Sequence, residues 1–110
     1  MTTVSLRLYL LGTFRVERDG KPLALYSRKV ESLFAYLVLH PVEHAREKLA
    51  ALFWGDATDE QARLSLRVGL YDLRKKLGDD IILADREAVQ INPDFPLSVD
   101  TEIIPDFRWN

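Results

Sequence analysis

Residues 59–92 read DEQARLSLRVGLYDLRKKLGDDIILADREAVQIN, and the change of rhythm within them sets the fold. Up to Leu77 the apolar residues recur at helical spacing; from Ile81 they alternate. At 100° per residue, Ala62, Leu66, Leu70, Leu73 and Leu77 fall within about 80° of one another and form a core face. Leu64, Val68, Tyr71 and Lys75 point away from it. Arg63, Arg67 and Arg74 line one flank. Asp72 and Lys76 occupy the other, spaced for an i, i+4 ion pair worth roughly a few tenths of a kcal/mol. Thr58 with Gln61 three residues on has the form of a capping box, and Asp59 and Glu60 suit the positive end of the helix dipole. Lys75 and Lys76 sit at the negative end, and Gly78 is placed as C′. The alternating segment predicts a hairpin of Ile81 to Ala84, a turn at Asp85-Arg86-Glu87, then Ala88 to Asn92, with Pro93 and Pro96 ending regular structure.

A charged stripe on a helix is ordinarily a solvated face. This one mixes arginines with apolar groups, and the helix runs straight into a hairpin. In a major groove, arginine donates two hydrogen bonds to guanine while apolar groups touch thymine methyls. A hairpin beside such a helix can reach the neighbouring backbone or minor groove. The alternative for Leu64, Val68 and Tyr71 is packing on another helix or on a protein partner.

Upstream, VSLRLYLLG and TFRVERDG alternate and predict strands, with Leu6, Leu8 and Leu10 on one side and Phe14 and Val16 on the same side after a break at Gly12. Asp19-Gly20 predicts a type I′ hairpin turn. Lys21 to Leu25 follows as a short third strand, with Pro22 at its start, where a missing N–H is tolerated. Ser27 is the expected N-cap of a first helix carrying Val30, Leu33, Phe34, Leu37 and Val38 inward, stopped at His40-Pro41. A second short helix is expected over Arg46 to Phe53, with Leu49, Leu52 and Phe53 inward and a weak cap at Ala45.

One hundred and ten residues suffice for one core and not for two. The absence of cysteine excludes disulfide staples, thiolate zinc sites and cysteine nucleophiles, and makes the cytoplasm the expected compartment. Met1-Thr2-Thr3-Val4 has no basic n-region, and no apolar run approaches a membrane span. A net charge of −2 argues against a surface coated in basic residues but not against one basic face, because phosphate affinity depends on local charge. His40 and His44 lack a third metal ligand nearby. Ser27, Ser32 and Ser65 have no recognisable histidine–carboxylate company, and the glycines are too scattered for a phosphate loop. Trp54 reads as core packing. No cofactor and no enzymatic activity are expected.

LLGTFRVERDGKPLAL, SRKVESLFAYLVLHP, REKLAALFWGD, ARLSLRVGLYDLRKKLGDD and a hairpin closing in INPD together resemble the N-terminal domain of bacterial transcriptional activators of the SARP type, over about residues 4 to 100. The resemblance rests on an ordered set: "LLG-x-F-x-V", "RK" before the first helix, "L-x-x-LFW" closing the second and "LR-x-x-L" ending the third. It implies an α+β, OmpR-like winged helix-turn-helix: an N-terminal antiparallel β-sheet, three helices and a C-terminal β-hairpin wing, over residues 1–97. Residues 98–110 are then a tail leading to a helical activation domain. It implies a sequence-specific DNA-binding domain of a transcriptional activator, reading direct repeats as a tandem homodimer through the third helix and the wing. The resemblance also implies that the turn near Trp54–Asp59 is a place where RNA polymerase can be contacted. Arg67 and Arg74 match places where the family has DNA-facing side chains, Arg74 the more closely, and Arg86 would sit at the wing tip with Lys29 reaching phosphate. With Arg63, Leu64, Val68, Tyr71 and Lys75 from the helix itself, these form the expected DNA-binding set. Two departures stand out. Asp72 occupies a place commonly basic, where a carboxylate would repel phosphate or accept from cytosine N4. Ala88-Val89-Gln90 replaces a frequent Gly-Tyr pair. The alternative is a winged-helix protein-interaction module with little intrinsic DNA affinity.

Overall fold

The computed structural model describes residues 6–9 and 15–100. Over the described residues it is an α+β structure with three helices and two small sheets. The strands are β1 (Leu6–Tyr9), β2 (Arg15–Arg18), β3 (Lys21–Leu23), β4 (His44–Ala45), β5 (Ile82–Ala84), β6 (Ala88–Ile91) and β7 (Leu97–Asp100). The helices are α1 (Arg28–Leu39), α2 (Arg46–Trp54) and α3 (Asp59–Leu77).

The single domain expected over residues 1–97 is built as two compact units. Met1–Ala24 with Asp94–Asn110 carry the first sheet, and Leu25–Pro93 carry the helices and the second. In the first sheet the order is β3-β2-β1-β7. Asp19 and Gly20 both take positive φ between Arg18 and Lys21, the two-residue turn that Asp-Gly favours. The sheet is not purely antiparallel as expected, because β7 pairs parallel with β1, Leu6 opposite Leu97 and Tyr9 opposite Asp100. Regular structure therefore resumes after Pro96, and the tail expected from Ser98 begins inside a strand. A proline ahead of a strand costs no ladder bond, and Leu97-Ser98-Val99-Asp100 has the alternation a strand needs. Leu10, Gly12 and Phe14, to which a facing and a break were assigned, lie outside the described residues, as do residues 101–110.

In the second unit, α1 begins as expected: Ser27 Oγ accepts from the Val30 N–H at 3.2 Å. Val30, Leu33, Phe34 and Leu37 are buried, and Val38 is half-buried. Helix α2 has no side-chain cap at Ala45. Its Arg46 N–H donates instead to the Glu87 carbonyl at 2.8 Å, so the far hairpin satisfies a helix-end donor that the local sequence leaves open. Leu52 is exposed, against the expectation that it faces inward. The inward stripe of α2 is Leu49, Ala50 and Trp54, and at 100° per residue Leu52 lies on the opposite side. At the start of α3, Thr58 Oγ1 accepts from the Gln61 N–H at 3.2 Å. At its end, Gly78 is the C-cap itself, one place earlier than expected, with φ 140° and its N–H on the Arg74 carbonyl.

All five residues expected on the core face of α3 are buried, and Gly69 and Asp72 join them. Gly69 lies where the three helices meet. A Cβ there would stand 3.1 Å from Val30 Cγ2 on α1, 3.7 Å from Trp54 Cη2 on α2 and 3.8 Å from Leu33 Cδ2. The hairpin closes in the expected place, β5 against β6 with Ile82 opposite Ile91. A short strand unforeseen in the sequence, β4, joins it: His44 pairs with Val89 and Ala45 with Ala88, giving the order β4-β6-β5.

Overpacking at a helix crossing costs about 1–3 kcal/mol. Gly69→Val is expected to lower unfolding free energy by about that amount in a denaturant titration, more than Val68→Ala one position away.

Candidate nucleic-acid interface

Because the buried arc of α3 reaches round to Gly69 and Asp72, its centre is turned by about 40° from the one the apolar residues alone indicate. The outward pole turns with it. Tyr71 at 65% exposure and Leu64 at 55% stand at that pole, with Val68 half-buried beside them. Arg67 moves towards the centre of the exposed face, with Arg63 on its flank and Lys75 on the other side, all three exposed. None of these three cations has an ion pair or a side-chain hydrogen bond among the described residues.

Asp72, read on a flank where it would repel phosphate or accept from cytosine, is turned inward instead. Its carboxylate is buried: Oδ2 accepts the Tyr26 backbone N–H at 2.7 Å, and Oδ1 lies 3.1 Å from Lys76 Nζ. The i, i+4 pair forms as spaced, and a bond to a residue 46 positions earlier holds the entry to α1 against α3. A carboxylate so occupied is not presented towards phosphate or cytosine. The midsection of the exposed face is therefore free of negative charge. Only the first turn of α3, with Asp59 and Glu60, is acidic.

Arg74 departs most from expectation. It is half-buried, its Nη2 donates to the Ile82 carbonyl on β5 at 3.3 Å, and its Nε is buried without a partner. The guanidinium is spent on fastening the hairpin to α3, so Arg74 does not share the free, outward disposition of Arg63 and Arg67. The turn of the hairpin is built by Asp85. Its Oδ1 accepts from the N–H groups of Glu87 and Ala88, each at 2.8 Å, and its own N–H donates to the Ala88 carbonyl at 3.0 Å. Those bonds, from Glu87 and then Ala88, hold the Asp85 carboxyl below its ordinary value of 3.8. Arg86 is exposed between two acids, one of them engaged by the turn.

Lys29 is exposed, and its Nζ lies 3.5 Å from Asp56 Oδ1 in the turn between α2 and α3. Such a solvent-exposed pair is worth about 0–1 kcal/mol and exchanges readily. Beside that turn, a cleft of about 310 Å³ runs between α2 and α3, lined by Glu47, Ala50, Trp54, Ala57, Asp59 and Arg63 among others. Trp54 lines it and is itself buried, in keeping with its reading as a core residue. His44 is buried with Nε2–H donating to the His40 carbonyl at 2.9 Å, and the Tyr36 ring lies against both imidazoles. No group of three or more metal-ligating side chains assembles among the described residues.

The expected set thus separates. Arg63, Leu64, Arg67, Val68, Tyr71 and Lys75 share one face of α3; Arg86 lies at the hairpin tip; Arg74 is engaged within the fold, and Lys29 stands exposed beside Asp56. The missed residues are Gly69, Asp85 and the inward Asp72. For Asp85 a signal was present, since an aspartate opening a short turn accepts the N–H groups that follow it. Asp72 had only its helical angle, which places it at the edge of the core. No protein-family model matches the chain, and no curated protein does. Among the described residues, no helix is long and apolar enough to cross a membrane.

A lowered folded-state value means the Asp85 bonds contribute fully above 3.8 and are lost as pH falls through the lower folded value. Amide exchange at Glu87 and Ala88 is expected to accelerate over that acid range. Asp85→Asn, whose side-chain oxygen still accepts but does not titrate, should remove the pH dependence. Arg74→Met keeps the apolar stem and loses the donor. Faster exchange is expected through Ile82–Ala84 and Ala88–Ile91, with the α1 amides unchanged.

Proposed function

We propose that this chain is a DNA-binding domain of the winged helix-turn-helix kind from a bacterial transcriptional activator, related to the OmpR-like domains of SARP-type proteins. It acts in the cytoplasm on promoter DNA. One observation carries the reading: the outward face of α3 presents Arg63, Arg67 and Lys75 unpaired among the described residues, while the acid in its midsection, Asp72, is buried and matched by Lys76. A helix face whose midsection carries only cations, alongside a hairpin, suits the major groove, with phosphates meeting the flanks and base edges meeting the centre.

The order of elements supports it. Between α1 and the hairpin the chain runs β4, α2, α3, β5, β6, and β4 pairs with β6. That order suits an arrangement in which a third helix and a wing are held as neighbours. In this reading α3 is the recognition helix, the β5–β6 hairpin is the wing, and Arg86 reaches a phosphate. Two copies bind direct repeats in tandem, with half-sites about one helical turn apart. The turn over Trp54–Asp59, carrying Asp56 and the adjoining cleft, is the surface offered to RNA polymerase. A second reading, a protein-binding module, is favoured by the exposure of Leu64 and Tyr71 on the same face.

Selection from random duplex DNA at two salt concentrations separates the two. A DNA reader enriches a defined site whose affinity falls with salt. Arg67→Ala is then expected to weaken the selected site by about 1–3 kcal/mol and to relax one base position. Arg86→Ala should weaken all sequences alike and reduce the salt slope by about one unit. If no site is enriched and affinity is salt-insensitive, the DNA-binding reading is wrong, and Tyr71→Ala in a search for protein partners becomes the informative variant.

A further inference from the structure

We infer that Leu64, Val68 and Tyr71 form a methyl-reading strip, and that the central contact of each half-site is a short run containing thymines. The inference rests on the DNA-binding reading above and names what that site selects. The three residues stand at i, i+4 and i+7 on one face of α3, with Leu64 and Tyr71 among its most exposed side chains. At 1.5 Å per residue the strip spans about 10 Å, or about three base-pair steps.

Leucine and valine carry no donor or acceptor, so they cannot tell guanine, adenine or cytosine apart by hydrogen bonding. The one apolar group on a major-groove edge is the thymine C5-methyl. Pressed against a G·C pair, the same side chains would strip water from guanine O6 and cytosine N4 and give nothing back, which disfavours those pairs. The strip therefore discriminates in both directions. Its borders say what covers it. Arg67 stands on one side and Lys75 continues the strip one turn beyond Tyr71, neither with an acidic partner among the described residues. A duplex supplies apolar methyls in a groove walled by phosphate, matching an apolar strip with a cation at its flank and another at its end. On the flank, Arg63 and Arg67 are placed to favour guanines beside the thymine run.

The test takes the site selected by the full 110-residue chain and replaces each thymine in turn with deoxyuridine, which deletes the methyl and leaves base pairing intact. Affinity is expected to fall about fourfold per contacted methyl, at two or more positions within a window of about three base pairs. Leu64→Ala and Val68→Ala should each bind the thymine and deoxyuridine versions of one position equally, while Arg67→Ala keeps the difference. A selected site that binds equally well with every thymine replaced overturns the inference and leaves the DNA-binding reading standing. Methyl sensitivity that survives in Leu64→Ala, Val68→Ala and Tyr71→Ala alike overturns the assignment to this strip. Failure to select any site at either salt concentration overturns both.

Discussion

The close approach of three helices at Gly69 is the constraint on which the rest of the helical unit depends. Val30 and Leu33 of α1 and Trp54 of α2 all reach the place where a side chain would begin. A glycine in a helix interior costs about 1 kcal/mol relative to alanine. That cost is offset here by contact: α1 and α2 settle onto α3 closely enough to bury Leu33, Phe34, Leu37, Leu49, Leu66, Leu70 and Leu73. Once α3 is gripped at its midpoint, its rotation about its own axis is set. The face left to solvent follows from that rotation rather than from the charges it carries.

Asp72 works to the same end with polar chemistry. It is buried beside the crossing, and a buried carboxylate is costly unless hydrogen-bonded and paired. The Tyr26 N–H and the Lys76 ammonium meet that requirement. One result is structural, since the segment leading into α1 is bound to α3. The other is electrostatic, since the negative charge that would have opposed a polyanion is withdrawn from the exposed face. The chain as a whole carries a net charge of −2, yet the midsection of this helix face is cationic.

The hairpin is held to the helices by backbone groups that no side-chain pattern reveals. Glu87 lends its carbonyl to the first N–H of α2, Ile82 lends its carbonyl to Arg74, and β4 adds a third strand beside β6. Asp85 shapes the turn from within. The hairpin tip and the exposed face of α3 therefore belong to one connected body, and a surface that approaches one meets the other in a defined place. A hairpin alone would be marginally stable in water; these attachments let so short a one keep its position.

By itself the sequence determined the elements whose signals are local. Capping at Ser27 and Thr58, the Asp19-Gly20 turn, the core face of α3 and the β5–β6 hairpin all follow from side-chain period, turn chemistry and side-chain-to-backbone bonds a few residues apart. It also placed Arg63, Leu64, Arg67, Val68, Tyr71 and Lys75 together on one side of α3. Tertiary structure decided what distant partners control. The parallel pairing of β7 with β1, the strand at His44–Ala45 and the inward Asp72 each depend on a group far along the chain, and Arg74 turns to a carbonyl across the helix end on β5. Helical angle narrows a flanking residue to the border between core and solvent. Which way it then turns is settled by whether a backbone donor or acceptor from elsewhere waits there, and a one-dimensional pattern does not carry that information.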